Sequence, residues 1–268
     1  MFRKRLIGTT LLVAALLAVP AAALAKTVIT MSGSTSVAPL AAKLAKAYAK
    51  SHRGTQFKLA QGGSDIGVSD VAHGRVTIGN SSRDPKPTDP GGLVFNKIAR
   101  DAVCLVTNPS NRVGNLSQAQ VQAIFSGAVR NWSEVPGAGI SGTINVVVRS
   151  APSGTQDAFQ NLFMGVTKQV TPSASQKASS GLVAQTVRSN RGAIGYVSLE
   201  FTRGLNNAAY RGVKCTLRNA KSGQYAGTRN FWMVTRGKAR GGARSFIRWI
   251  QKSRRASKII AKDWVPLH

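Results

Sequence analysis

Turns rich in serine, threonine and glycine follow four predicted strands, and they hold the residues best suited to bind a ligand. Where such a turn opens a helix, the helix N-terminus presents unpaired backbone N–H groups and partial positive charge, and the hydroxyls add donors. This combination binds anions without a lysine or a metal. The candidate ligand-binding residues in these turns are Thr35, Ser36, Ser64, Ser82, Ser153, Gly154 and Thr155.

Each of these serines has a simpler interpretation, as the N-cap of a helix. Ser153 illustrates it, because Gln156 stands where a capping box needs its second partner. For any single turn the capping interpretation is favoured. Four turns of this kind in one alternating chain favour a shared anion site, because a sheet brings the ends of its strands together.

Arg149 ends an apolar predicted strand just before the Ser153 turn. A guanidinium in this place can bind two oxygens of one oxyanion. The alternative is a structural salt bridge, but the chain has only 9 Asp and Glu against 37 Lys and Arg, so carboxylate partners are scarce. We therefore predict that Arg149 contacts an anionic ligand.

Alternating strand and helix patterns position these turns. Apolar runs predict strands, and apolar residues three and four positions apart predict the helices between them. This alternation predicts an α/β fold with parallel sheets, in which ligands gather at the carboxyl ends of the strands. The predicted strands cover residues 28–31, 57–60, 76–79, 101–107, 144–149, 193–197 and 230–235, and residues 84–92 are predicted as a loop.

The chain of 268 residues is strongly basic, with a formal net charge of +28. Such a charge attracts small anions and polyanions alike, so nucleic acid is an alternative partner. No zinc-finger spacing or RNP-type aromatic motif supports it, and no specific nucleic acid is expected. The basic residues are scattered apart from one C-terminal cluster, interpreted as a solvated helix face: Lys252, Arg254, Arg255 and Lys258.

Residues 1–25 are typical of a cleaved export signal. Basic residues at positions 3–5 precede a short apolar run over residues 6–19, and Ala23-Leu24-Ala25 supplies the small residues of a cleavage site. The run is shorter than the roughly 20 residues of a membrane-spanning helix. We expect a periplasmic or extracellular protein that keeps 34 Lys and Arg against 9 Asp and Glu, a net charge of +25.

Cysteine and histidine content gives no support for metal or thiol chemistry. Cys104 and Cys215 each lie in an apolar segment, so a disulfide and two buried free thiols are both compatible with an exported chain. The three histidines form no metal-ligand spacing, and no cofactor is expected. No Gly-x-Ser-x-Gly elbow or phosphate-loop lysine motif occurs, and His52 and His73 have the pattern of surface residues, so no enzyme is expected.

Five stretches have the order and spacing of a known family: SGSTSVAPLAAKLAKAYAK, QGGSDIGVSDVAHGRVTIGNSSR, LSQAQVQAIFSGAVRNWSEV, VVVRSAPSGTQDAF and RGAIGYVS. Residues 27 to about 250 thereby resemble the phosphate-binding subunit of bacterial phosphate ABC transporters, a group of periplasmic solute-binding proteins. SGQYAGTRNFWMVTRG is a weaker sixth match.

The resemblance implies a two-lobed α/β fold of the type II periplasmic-binding-protein kind, with a mainly parallel sheet in each lobe and a hinge between the lobes. Lobe one would comprise residues 27–106 and 226–268, and lobe two residues 107–225. Phosphate or a related oxyanion would bridge the lobes and stabilise the closed form. The implied partner is an ABC permease in the inner membrane, and the protein would be a monomer.

The same resemblance assigns the ligand contacts to the turn residues named above. Thr35, Ser36 and Ser64 would bind at two helix starts, Arg149 would take a pair of oxygens, and the turn at residues 153–155 would close the site from the other lobe.

The chain departs from the family at Ser82, where an Asp often accepts the proton of hydrogen phosphate and repels sulfate. Ser82 keeps a hydrogen-bonding group, but it has no negative charge that could distinguish a protonated anion from a fully ionised one. Asp65 or Asp84 is a candidate replacement for this carboxylate from a nearby position. Two other functions stay open: an oxyanion sensor or scavenger of the cell envelope without transport, and an exported polyanion-binding protein whose affinity falls steeply with salt.

Overall fold

A computed structural model describes residues 26–268, and the predicted export signal at residues 1–25 lies outside the described part. Strands and helices alternate along this part of the chain. The strands are β1 (Thr27–Gly33), β2 (Thr55–Leu59), β3 (Ile78–Ser81), β4 (Leu93–Thr107), β5 (Asn115–Leu116), β6 (Asn145–Arg149), β7 (Ser175–Lys177), β8 (Ala193–Ser198), β9 (Asn206–Asn207), β10 (Ala209–Tyr210) and β11 (Thr228–Arg236). The α-helices are α1 (Ala38–Ser51), α2 (Ser64–Ala72), α3 (Gln118–Ser126), α4 (Gly154–Phe159), α5 (Ser180–Ser189), α6 (Leu217–Ser222), α7 (Gly241–Lys252) and α8 (Arg254–Ile260).

One mixed sheet runs through the described chain in the order β2-β1-β3-β11-β4-β8-β6-β7, with β9 also paired to β4. Pairing is parallel among β1, β2 and β3 at one end of the sheet and among β6, β7 and β8 at the other. In the middle β4 and β11 are antiparallel to each other and to their neighbours β8 and β3. The predicted α/β fold, with parallel strands flanked by helices, is confirmed.

Strand β4 connects the two ends of the sheet. It has 15 residues, and it pairs with β11 along residues 93–102 and with β8 along residues 103–107. The sequence predicted a strand only over residues 101–107. Most of the side chains over residues 93–100 are half-buried, so this stretch lacks the continuous apolar run of the buried half.

Two large hydrophobic clusters meet along β4. The first packs α1, α7 and α8 on the sheet around the buried Trp264, and the second surrounds the buried Trp132. Along β4 the cluster changes between Ala99, in the first, and Ala102, in the second. The parts of the chain built on these clusters are called the first half and the second half below. The predicted lobe boundaries after residues 106 and 225 stay a prediction.

Helix α1 shows how local sequence produces these layers. Its apolar positions recur at intervals of three and four residues, so they form one buried face: Leu40, Ala41, Leu44, Ala45 and Tyr48. A proline lies in its first turn, where the missing N–H costs no helical hydrogen bond. In α3 the capping box predicted from the sequence is present between Ser117 and Gln120.

Cys104 and Cys215 form a disulfide, which decides between the two alternatives left open by the sequence. Both residues are buried in the second cluster, and the bond links β4 to the segment before α6. Within residues 26–268, helices that combine the length and apolar character needed to cross a bilayer are absent.

Candidate functional site

Four helix N-termini converge where the two halves meet, and each brings a buried hydroxyl. Helices α1 and α2 come from the first half, and α4 and α5 from the second. We call the side chains gathered here the hydroxyl cluster. Its members are all at most 2% exposed: Ser34, Ser36, Ser64, Ser82, Thr155 and Ser180.

One part of the hydroxyl cluster lies wholly within the first half. Ser34 Oγ donates to Ser82 Oγ at 2.9 Å, and Ser82 Oγ lies 3.3 Å from Ser64 Oγ. The backbone N–H of Ser82 donates to Ser64 Oγ at 3.0 Å. These contacts hold the end of β3 against the start of α2.

The other part of the cluster crosses from one half to the other. Ser36 Oγ lies 2.9 Å from both Thr155 Oγ1 and Ser180 Oγ. The backbone N–H of Ser180 also donates to Thr35 Oγ1 at 3.4 Å. Hydroxyls can donate one hydrogen bond and accept two, so this group can rearrange its bonds around another acceptor.

Arg149 enters the cluster from the end of β6 and is 4% exposed. Its guanidinium donates to Ser180 Oγ at 3.2 Å and to the carbonyl oxygens of Lys177 and Ala178 at 3.1 and 2.8 Å. Among the ion pairs of residues 26–268, no carboxylate lies within 4.0 Å of it. Burial lowers the pKa of Arg149 to about 10, and the nearby Arg229 acts in the same direction. At neutral pH Arg149 is thus a buried cation whose polar contacts are all uncharged.

The two carboxylates considered as replacements at Ser82 are engaged elsewhere. Asp65 pairs with Arg83, and Asp84 accepts hydrogen bonds from Asn230 at 3.0 Å and from Trp232 at 2.9 Å. Neither carboxylate hydrogen-bonds to the hydroxyl cluster in this arrangement, so the replacement of the missing Asp by Asp65 or Asp84 stays a prediction. The Ser82 side chain contacts the hydroxyls of Ser34 and Ser64 and brings no negative charge to the cluster.

Ion pairs join the two halves on the outside of the cluster. Lys86 Nζ lies 2.7 Å from Asp157 Oδ2 of α4, and Lys43 Nζ lies 3.4 Å from Glu200 Oε1. Burial raises the pKa of Glu200 to about 7, and Lys43 opposes that rise. Exposed and half-exposed pairs of this kind contribute about 0–1 kcal/mol each, so they hold the halves together only weakly.

A polar cavity of about 440 Å³ opens beside Ser82. Residues of β4, β11 and α4 line it, and Ser82 is the member of the hydroxyl cluster that it reaches. Its charged lining is mainly basic: Arg83, Lys86, Lys97, Arg100 and Arg229, with Asp84 and Asp157 as the acidic members.

Gly154, the first residue of α4, lies directly against Ser64 of the other half. A Cβ at this position would overlap the Ser64 side chain and lie 3.0 Å from the Arg83 backbone nitrogen. Gly154→Ala is therefore expected to keep the halves apart. Overpacking of this kind costs about 1–3 kcal/mol, which weakens anion binding about 5- to 150-fold in a calorimetric titration with phosphate.

The helical backbone at Gly154 accepts alanine, so the thermal unfolding temperature of the ligand-free variant should not fall. Gly54→Ala is the matched control, because an added Cβ there meets no atom within 4 Å. An unchanged phosphate affinity in Gly154→Ala would show that binding does not require this contact.

The structure brings together every binding residue predicted from the sequence. Ser153 lies at the same place, but its hydroxyl accepts from the backbone N–H groups of Thr155 and Gln156 at 3.2 and 3.3 Å. Its side chain is thus a helix cap, as the simpler interpretation held. The predicted capping box is incomplete, because the Gln156 side chain instead accepts from Tyr196 Oη.

Two members of the hydroxyl cluster were missed in the sequence, Ser34 and Ser180. Ser34 lies in the same turn as Thr35 and Ser36. The segment Ser179-Ser180-Gly181 indicates a hydroxyl-rich helix start, because Val183 and Val187 follow it at helical spacing. The strand before it, β7, has only three residues and no apolar run, so no strand-to-turn pattern identified it.

Comparison with known proteins places this geometry in a family. Residues 20–254 match the PBP superfamily domain. The phosphate-binding protein PstS of Bacillus subtilis (strain 168) is 28% identical over 247 residues, which cover 88% of this chain and 78% of that protein.

Solved structures agree with this match. A protein described as a phosphate ABC transporter substrate-binding protein from Clostridium perfringens, with bound phosphate, is 30% identical with a TM-score of 0.85, and the alignment covers 90% of this chain and 100% of that chain. An ABC-type phosphate transport receptor from Vibrio cholerae is 29% identical with a TM-score of 0.72, covering 88% and 99%. The chain belongs to the PBP superfamily and, within it, to the substrate-binding proteins of phosphate ABC transporters.

Proposed function

We propose that this protein captures phosphate in the cleft between its two halves and delivers it to an ABC permease. The observation that carries the proposal is Arg149, a buried guanidinium with only uncharged hydrogen-bond partners. A buried charge costs free energy unless it is paired, so the site favours a ligand of opposite charge. Relatives described as phosphate-binding proteins support phosphate as that ligand.

Binding would exchange contacts between hydroxyls for contacts to an anion. Ser36 bonds to both Thr155 and Ser180, and each of the three hydroxyls can donate instead to an oxyanion oxygen. Hydrogen bonds to a charged acceptor are shorter and roughly twice as strong as those between neutral groups. The helix N-termini of α1, α2, α4 and α5 add partial positive charge at the same place.

The ligand would also hold the halves together, because its donors come from both of them. An equilibrium between open and closed forms shifts only by the difference in ligand affinity for the two forms. The outer ion pairs contribute about 0–1 kcal/mol each, so we assign the larger part of the closing free energy to the anion.

Export of the protein and its delivery of phosphate to a permease are proposed from the sequence and the family. The pattern of residues 1–25 supports export, and the family supports delivery to a permease in the inner membrane. We propose no catalytic step. Among the described residues, the hydrogen-bond partners of the hydroxyl cluster include no histidine or carboxylate that could act as a general base.

Titration of the ligand-stripped mature protein with phosphate, arsenate, sulfate and molybdate tests the proposal. We expect one phosphate per chain, with sulfate as an effective competitor, because Ser82 brings no charge that repels a fully ionised anion. Ser82→Asp should weaken sulfate binding at least about tenfold more than phosphate binding, which is about 1.4 kcal/mol of discrimination.

Ser82→Ala is the control, since it removes the hydroxyl without adding a charge and should weaken both anions alike. If none of the four oxyanions bound with a stoichiometry of one, the proposed function would be wrong. If phosphate alone bound the unmodified protein, selectivity would come from a group other than residue 82.

A further inference from the structure

A groove on the first half, between α1 and α8, is lined almost entirely by basic side chains. Its volume is about 920 Å³. We call it the basic groove, and Ala47 and Ile259 are its uncharged lining residues. Its seven charged residues are all exposed: Lys43, Lys46, Lys50, Arg254, Arg255, Lys258 and Lys262.

The charge of the basic groove is mostly uncompensated. Lys43 pairs with Asp263 at 2.8 Å and with Glu200 at 3.4 Å. The other six cations have no carboxylate within 4.0 Å among the ion pairs of residues 26–268. Like charges so close together repel one another, and their field concentrates anions at the surface.

Part of the basic groove coincides with the C-terminal basic cluster identified in the sequence. The sequence pattern predicts a solvated helix face that comprises Lys252, Arg254, Arg255 and Lys258. In the fold, three of the four face the lysines of α1, which lie about 200 residues earlier in the chain. The juxtaposition therefore depends on tertiary structure.

The shape of the basic groove narrows the class of partner. Lys43, Lys46 and Lys50 are spaced by three and four residues, so they form one row along α1 of about 10 Å. A groove between two helices accepts a thin chain of anionic groups along this row of cations. None of the lining residues is aromatic, so the groove has no platform on which bases stack.

We propose that the basic groove binds a linear polyanion made of phosphate groups without bases, of which inorganic polyphosphate is the simplest example. Charge complementarity and groove shape carry this inference, and it is independent of the phosphate site at Arg149. A groove of this kind would hold a phosphate-rich polymer on the same molecule that captures free phosphate.

Fluorescence-monitored titration of the mature protein with labelled polyphosphate tests this proposal, with a single-stranded oligonucleotide and vesicles containing anionic lipid as competing probes. Polyphosphate should bind most tightly, and its affinity should fall linearly on a logarithmic salt scale. The quadruple variant Lys46→Glu, Lys50→Glu, Arg255→Glu and Lys258→Glu should lose at least about 100-fold in affinity. Its salt slope should also shrink by about 0.7 for each contact removed.

A second quadruple variant provides the matched control, with the same change of charge at exposed positions outside the groove: Lys168→Glu, Lys214→Glu, Arg218→Glu and Lys238→Glu. Its affinity for polyphosphate should fall by less than about tenfold. An equal loss in both variants would overturn the proposal in favour of a general charge effect. Tighter binding of the oligonucleotide or the vesicles would overturn it in favour of another partner, and absence of polyphosphate binding would refute it.

Phosphate titration of the same variants separates this proposal from the proposed function. Both quadruple variants should bind free phosphate as the unmodified protein does. Conversely, the Arg149→Ala variant should no longer bind phosphate tightly but should bind polyphosphate as the unmodified protein does. Loss of polyphosphate binding in Arg149→Ala would show that the polymer enters the cleft, which also contradicts the proposed groove site.

Discussion

Arg149→Met is expected to weaken phosphate binding strongly and, at the same time, to stabilise the ligand-free protein. Removing one partner of a buried, hydrogen-bonded charge pair costs about 2–5 kcal/mol, which corresponds to a loss of affinity from about 30-fold to several thousand-fold. In the absence of ligand, the buried guanidinium has only uncharged partners. An unpaired buried charge costs free energy, and an apolar side chain of similar length removes that cost while leaving only the carbonyl oxygens of Lys177 and Ala178 without this donor.

Calorimetric titration and denaturant unfolding of the ligand-free variant measure the two effects. Arg229→Met is the matched control, because Arg229 is also buried but donates to Asp101 Oδ2 at 3.0 and 2.9 Å. Its removal leaves an unpaired buried carboxylate and should destabilise the protein by about 3–5 kcal/mol. If Arg149→Met destabilised the protein as much as the control, Arg149 would be a structural residue and the argument for an anion site would fail.

Removing the disulfide should produce a large loss of stability. Cys104 and Cys215 are 111 residues apart, and cross-linking a loop of this size lowers the chain entropy of the unfolded state. Loop-closure theory gives about 4.7 kcal/mol for a 100-residue loop. The variant with Cys104→Ala and Cys215→Ala should therefore unfold at a clearly lower denaturant concentration, with a free energy of unfolding lower by about 2–5 kcal/mol.

Reductant supplies an independent control for this prediction. It should lower the stability of the unmodified protein to that of the double-alanine variant and leave the variant itself unaffected. A difference below about 1 kcal/mol between the oxidised protein and the variant would contradict the chain-entropy argument and indicate residual structure in the unfolded state.

The sequence predicted the parts of the fold and of the site that depend on local signals. The turn hydroxyls at Thr35, Ser36 and Ser64 were predicted because each follows an apolar run and opens a helix with an apolar face. Arg149 was identified because few carboxylates were available to pair with it. Such signals are contained within short stretches of sequence, and the helices and strands of the fold form where these signals predict them.

Features that depend on contacts between distant residues escaped the sequence analysis. Ser180 joins the site through a three-residue strand without an apolar run. Gln156 was expected to cap α4, but it bonds to Tyr196, which lies 40 residues later. Asp65 and Asp84 are candidates for the site by their sequence positions, yet their side chains pair with Arg83, Asn230 and Trp232 and not with the hydroxyl cluster. Local patterns carry no information on such pairings.

The passage of β4 and β11 through the middle of one sheet would constrain the opening that we propose for the cleft. These two strands are antiparallel neighbours over most of their length, and their pairing continues to Ala102 and Thr228, where the clusters change. A loop hinge would bend freely, whereas a hydrogen-bonded ribbon resists and twists as an elastic element. The proposed opening of the cleft would then twist this ribbon without breaking its hydrogen-bond ladder. The amides around Ala102 and Thr228 should accordingly exchange their hydrogens slowly in both states, while the strain favours return to one resting angle.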